Sequence, residues 1–176
     1  LYGARLMNVF ERSGEIVEMS AVSDLVNGWP GGIIQSGRHR LFVAPIYLVN
    51  QLYAEHRGDL LLASKIDGPT FNTSREGTNI PYLDATASRT ADGKTLFIKA
   101  VNTSLTTALL TTITIDGVVP APRAELKTVT ARSINVANDF SRPNAVSIQK
   151  RTLPGGRRFV VTLPKHSVSV IVLRTQ

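Results

Sequence analysis

The chain has 176 residues, a net charge of +7, 43% hydrophobic and 19% charged side chains, and no cysteine. That length admits one ordinary domain, or one domain with a piece of another, and the composition excludes a disordered or low-complexity polymer. Without cysteine there are no disulfides, thiolate nucleophiles or cysteine-held metals, which leans the expected compartment towards the cytoplasm.

Read in chain order, the opening Leu1–Phe10 shows no leader-peptide layout and reads as the middle of an amphipathic helix, so an upstream segment is expected. Leu6, Val9 and Phe10 fall on one helical face, and Ser13-Gly14 supplies a stop. Glu15–Asn27 suits either a helix, through Ile16, Met19, Val22 and Val26, or a short buried strand over Met19–Ser23. Gly28-Trp29-Pro30-Gly31-Gly32 must be a loop. A clear helix returns over Pro45–Arg57, with Tyr47, Leu48, Leu52 and Tyr53 as its stripe and Gly58 as its cap. Helix, short strand, glycine loop and helix together suit a fragment of a β/α array, which could not fold alone because its strand edges stay uncovered.

From Gly58 onward the style changes to β-branched residues, period-2 alternation and turn signals. About nine strands are predicted: Leu60–Ile66, Thr70–Thr73, Tyr82–Arg89, Thr95–Asn102, Ala108–Asp116, Ala124–Ala131, Ala145–Gln149, Arg158–Leu163 and Ser167–Leu173. Asp67-Gly68-Pro69, Asp92-Gly93, Asp116-Gly117 and Pro154-Gly155-Gly156 separate them as turns. The fold class is therefore mainly β, an antiparallel β-sandwich of jelly-roll type over residues 59–176, preceded by a β/α segment over residues 1–58. Leu96–Val101 alternates imperfectly, as a strand packed on both faces would.

The positive charge raises a nucleic-acid reading, but the basic residues are scattered, with clusters only at Arg38–Arg40, Lys150-Arg151 and Arg157-Arg158. Aromatic content is 6% and no stacking platform is evident, so these are read as turn and edge charges, with no nucleic-acid partner. No apolar run reaches the roughly 18 residues of a membrane-spanning helix, and no membrane partner is expected. His39, His56 and His166 lack ligand spacing, so no metal is expected. Asn72-Thr73-Ser74 and Asn102-Thr103-Ser104 are formal glycosylation sequons.

Several stretches, in order, resemble the C-terminal region of glycoside hydrolase family 51 α-L-arabinofuranosidases. They are Val17–Asn27, Pro45–Gly58, Pro81–Ser88 followed by Asp92-Gly93-Lys94 and Val101-Asn102, Asn138–Val146, and Leu163–Val168. The resemblance implies that residues 1–58 are the last β/α segment of a (β/α)8 barrel, with its final strand near Glu18–Ser23, and that the sandwich packs beside it. It implies a retaining, cofactor-free hydrolase of terminal α-L-arabinofuranosyl groups, whose two catalytic carboxyls sit about 5–5.5 Å apart. Both would lie upstream, in a barrel segment of the same or a separate polypeptide. No Asn-Glu dipeptide occurs here, and Glu11, Glu15 and Glu18 read as a solvated helix face, so no residue of this chain is assigned as catalytic and the chain alone is expected to be inactive.

Expected substrate-binding positions are Asp24, Asn27 and Trp29, on the loop after that strand. The family has a sugar-contacting Gln where Asp24 stands; Asp24 either accepts hydrogen bonds from sugar hydroxyls or has a structural role, as a cap of the turn that follows or otherwise. Asn27 suits a loop-holding role, with sugar contact as its alternative. Trp29 either walls the sugar cleft or anchors the loop. The rival reading is a noncatalytic carbohydrate-binding or scaffolding sandwich, and a homo-oligomer of the whole enzyme is a further expectation.

Overall fold

The computed structural model describes residues 1–28, 32–75 and 77–175. Helix α1 (Tyr2–Arg12), strands β1 (Ile34–Ser36) and β2 (Leu41–Val43), and helix α2 (Pro45–Glu55) come first. The β half follows as β3 (Leu60–Leu62), β4 (Thr70–Thr73), β5 (Gly77–Pro81), β6 (Leu83–Arg89), β7 (Thr95–Asn102), β8 (Leu109–Thr114), β9 (Pro120–Val129), β10 (Ile148–Pro154), β11 (Arg158–Leu163) and β12 (Ser167–Thr175). The fold is mainly β and its strand pairs are antiparallel. A six-stranded sheet runs in the order β10-β9-β12-β7-β6-β3, β8 pairs with β11 as a second layer, and β4 with β5 forms a separate ribbon. Among the described residues no helix is long and apolar enough to cross a membrane.

Alternation along the strands sends side chains to two cores. Leu96, Ala100, Leu126, Ile171 and Leu173 meet Phe159, Val161 and Leu163 of the second layer. Val101, Val129, Val168 and Val170 face the other way, onto Leu48, Leu52 and Tyr53 of α2 and Ala4 of α1. β7 is thus buried on both faces, as its imperfect alternation predicts. The sheet ends on one side in the three-residue β3. On the other side it ends in β10, where Gln149, Lys150, Arg151 and Thr152 are exposed.

α2 forms as its stripe predicts, with Pro45 in the first turn after an extended Ala44. Its cap is His56 rather than Gly58. Gly58 serves close approach instead: a Cβ there would lie 2.5 Å from Ser88 Oγ and 2.9 Å from the Arg89 nitrogen. α1 also forms, but the face it buries differs from its apolar stripe. Ala4 and Asn8 are inaccessible, whereas Tyr2, Leu6 and Val9 point outward.

The buried strand near Glu18–Ser23 does not form. Residues 17–22 are irregular, and no barrel β/α unit is assembled among the described residues. A parallel strand takes its hydrogen bonds from neighbours on both sides. Here no strand lies beside residues 18–23, and Met19 stays 87% exposed.

One polar network fixes α1 to the sheet. Lys99 Nζ, on β7 and inaccessible to solvent, is paired with Glu11 and lies 4.7 Å from the centre of the Tyr53 ring. The Tyr53 hydroxyl donates to Asn8 Oδ1 (2.6 Å), Asn8 Nδ2 donates to Asp84 Oδ2 (3.0 Å), and Arg12 donates to Asp84 Oδ1 (2.9 Å). Burial pushes the Lys99 pKa down against the opposing pull of Glu11. Burial, reinforced by the Glu11 and Asp84 charges, pushes Tyr53 far up.

Candidate functional site

The candidate loop starts where residues 14–23 leave α1. Asp24 and Asn27 both take left-handed backbone, φ 54° and 51°, a conformation in which Asp and Asn are the usual non-glycine residues. Asp24 is thus no helix N-cap, because an N-cap is extended and precedes a helix, whereas Asp24 leads into a turn; another structural role and sugar contact both stay open to it. The turn is tight: a Cβ on Gly28 would fall 2.1 Å from Asp24 Cβ. After it the chain returns alongside itself. The Asn27 nitrogen donates to Ile34 O and the Ile34 nitrogen to Leu25 O, both at 3.0 Å, with Val26 and Ile34 forming a parallel bridge.

Asn27 spends its amide on Ser36. Its Nδ2 donates to Ser36 Oγ (2.9 Å) and Ser36 O (3.2 Å), while the Ser36 nitrogen donates to Asn27 Oδ1 (2.7 Å). These bonds tie the Asn27 side chain to the hairpin. Asp24 is exposed on the same loop. Trp29 lies outside the described residues.

A cleft of about 790 Å³ opens elsewhere, between residues 13–20, the C-terminal end of α2 and the β3–β6 edge. Glu11, Glu15 and Glu18 line it, but Glu11 is neutralised by Lys99 and Glu15 and Glu18 are exposed. It does not include Asp24 or Asn27. Among the described residues no three His, Asp or Glu side chains come together as a metal-binding group. His56 is instead a packing residue: its Nδ1 bonds Leu52 O (2.6 Å), its Nε2 accepts from Lys127 Nζ (2.8 Å), and its ring meets Phe97 edge-on. Burial, with Lys127 adding to it, lowers its pKa against the pull of the Leu52 carbonyl.

The aromatic residues of the β half do not line up as a platform. Phe97 and Phe159 are buried, Phe71 packs on Tyr82, and Phe140 meets Phe42. The two sequons differ as well. Asn102 is buried, and its Nδ2 donates to the carbonyls of Thr107, Leu163 and Pro164, so the folded chain offers no acceptor there; Asn72 is exposed.

Two contributions escaped the sequence reading. The β1–β2 hairpin carries the partner of Asn27, and Asn138 in the β9–β10 loop donates through Nδ2 to Val43 O (2.9 Å) of that hairpin. The hairpin's one local signal is a short apolar run, Leu41-Phe42-Val43, too short to read as a strand. The Asn138–Val146 stretch resembles a family signature, with nothing local to say what it touches.

A family model for the α-L-arabinofuranosidase C-terminal domain matches residues 1–167. None of the curated proteins matches the sequence. Among solved structures, the chain is similar to the α-L-arabinofuranosidase from Thermotoga maritima, determined as an arabinose complex. The TM-score is 0.87 at 29% identity, covering 97% of this chain and 37% of that one. A thermostable family 51 α-L-arabinofuranosidase from Thermotoga petrophila RKU-1 gives 0.85 at 29%, covering 94% and 36%. The family 51 arabinofuranosidase from Xanthomonas axonopodis pv. citri shares the fold, with 0.80 at 23%, covering 98% and 34%. The chain thus spans just over a third of the length of these relatives, at their C-terminal region, and it belongs to the α-L-arabinofuranosidase C-terminal domain family.

Proposed function

We propose that this chain works as the C-terminal part of a retaining α-L-arabinofuranosidase, which removes terminal α-L-arabinofuranosyl groups from polysaccharides or oligosaccharides. The family match over residues 1–167 carries this reading. In such an enzyme one carboxyl protonates the leaving oxygen and a second attacks the anomeric carbon, about 5–5.5 Å away. Both belong to the part that this chain does not supply. Residues 59–176 form the sandwich, and residues 1–58 make the junction with the catalytic part. The exposed apolar side chains Tyr2, Leu6 and Val9 on α1, with Ile16 and Met19 after it, support that junction, because large exposed apolar surface is normally covered.

At the junction, the loop bearing Asp24 and Trp29 borders the sugar pocket. Asp24 accepts a hydrogen bond from a sugar hydroxyl, Trp29 walls the cleft, and Asn27 fixes the loop through Ser36. No cofactor takes part. The test is hydrolysis of p-nitrophenyl α-L-arabinofuranoside by this chain alone and joined to the sequence encoded upstream. Activity only in the joined protein supports the reading, and turnover by the chain alone overturns it. In the joined protein, Asp24→Ala should raise KM; unchanged kinetics remove Asp24 from the pocket.

A further inference from the structure

We infer that Asn138 and Phe140, in the β9–β10 loop of the sandwich, are positioning residues for the Asp24–Gly28 loop and, through it, for sugar binding. The second half of that statement rests on the reading of this loop as the border of the sugar pocket. The first half stands on contacts.

The β9–β10 loop is built to be stiff. Asp139 Oδ1 accepts from the nitrogens of Ser141 (2.8 Å) and Arg142 (2.7 Å), and its Oδ2 accepts from the Arg142 guanidinium at 2.8 and 3.2 Å. Asn138, only 5% exposed, closes the loop on itself: Nδ2 donates to Val146 O (3.0 Å) and the Val146 nitrogen donates to Oδ1 (2.7 Å). The second Nδ2 hydrogen goes to Val43 O on β2. Two residues after Asn138, Phe140 meets Phe42 in a T-shaped contact with ring centres 4.9 Å apart, and Arg40 lies 5.9 Å from the centre of the Phe140 ring. One loop thus holds the hairpin by a backbone carbonyl and by an aromatic contact.

From the hairpin the constraint passes on through paired backbone. Val43 is opposite Ile34, and the Ile34 nitrogen donates to Leu25 O. Phe42 is opposite Gln35, whose Nε2 donates to Gly32 O at 2.7 Å. Leu41 is opposite Ser36, which grips Asn27 from both ends of its amide. Val43 and Leu41 therefore have β1 partners bonded directly to the Asp24–Gly28 loop, whereas the partner of Phe42 is tied to Gly32, whose nitrogen donates to Gly28 O at 3.0 Å. Hydrogen bonds that bypass the hairpin would make the clamp redundant, but the bonds of Leu25 and Asn27 described above all run to Ile34 and Ser36. Displacing β2 moves the loop with it.

Phe140 is the variant of choice because it is 40% exposed and outside both cores. Phe140→Ala in this chain should speed amide exchange at Asn27, Ile34 and Ser36 by about tenfold, while Val101 and Val170 in the main sheet stay within about twofold. Phe140→Leu should restore most of the protection. Unchanged exchange at the three loop amides, or equal acceleration in the sheet, overturns the mechanical link. In the protein joined to its upstream sequence, Phe140→Ala should raise KM for p-nitrophenyl α-L-arabinofuranoside about threefold or more with little change in kcat. Loop amides that loosen without any KM change leave the link standing and remove the loop from the sugar pocket.

Discussion

The Lys99–Glu11 pair gives a sharp test of how α1 is held. Lys99 has no solvent access, whereas the Glu11 side chain keeps 26% of its surface at the mouth of the cleft. The two truncations should therefore be unequal. In Glu11→Ala the ammonium stays in the protein beside the Tyr53 ring without its carboxylate partner, and orphaning a buried charge costs about 3 kcal/mol. In Lys99→Met the aliphatic stem is kept and the Glu11 carboxylate turns to water, so the cost should stay within about 1 kcal/mol. The double variant should recover most of the Glu11→Ala loss, giving a coupling of about 2 kcal/mol. At about 2–4 °C per kcal/mol for a chain of this size, Glu11→Ala alone should lower Tm by roughly 6–12 °C. The sign of the pH dependence follows from Lys99. Its folded pKa lies below its ordinary value, so between the two the unfolded chain holds more protons and stability rises with pH. Removing Glu11 lowers the folded value further and widens that interval, so the Glu11→Ala deficit should shrink as the pH is raised from 7 towards 10. Urea unfolding of the four proteins at several pH values reads all of this. Equal costs for the two single variants, or a deficit independent of pH, would refute the reasoning.

Three further outcomes are expected. His56 has a folded pKa below its ordinary value of 6.5, so stability should fall as pH drops through the interval beneath 6.5, and His56→Gln should flatten that slope. The carboxylates of Asp92 and Asp139, held low by hydrogen bonds, act only below about their ordinary 3.8, so thermal melts between pH 4.5 and 7 should isolate the histidine. Asn102→Asp turns a carboxylate towards three carbonyls and should cost about 3 kcal/mol or more in urea titration, against under about 0.5 kcal/mol for Asn72→Asp on the exposed ribbon. Gly58→Ala should cost about 1–3 kcal/mol by overpacking against Ser88, and adding Ser88→Gly should restore only part of it, because the Arg89 nitrogen remains 2.9 Å from the new Cβ.

Strands with their own punctuation were legible. Thr70–Thr73, Thr95–Asn102 and Arg158–Leu163 form as read, each set off by a Gly or Pro turn and carrying β-branched residues. The departures have particular causes. β9 starts at Pro120, and β10 runs on to Pro154. Proline reads as a breaker, yet it is tolerated at a strand's first residue or on a sheet edge, where its missing N–H is not needed. β5, Gly-Thr-Asn-Ile-Pro, has little strand character and forms because β4 offers it an edge. Met19–Ser23 has strand character without a partner and stays irregular. In the candidate site, the tie between Asn27 and Ser36 was not legible, because it depends on a hairpin register set by Val43 and Ile34. The burial of Lys99 was hidden for a similar reason: a lysine inside Leu96–Val101 looks like an outward residue until a helix brings Glu11 over it.

The two margins of the main sheet have a consequence for how the protein behaves at high concentration. Open strand edges are templates on which copies of a chain zip together into fibres. At one margin a strand of only three residues gives an incoming chain too little to grip. At the other, Lys150 and Arg151 would set like charges against each other in any antiparallel encounter between two molecules. The scattered basic surplus thus works in part as an anti-fibril device, and neutralising that margin should shorten the lag before aggregation even where the melting temperature does not move.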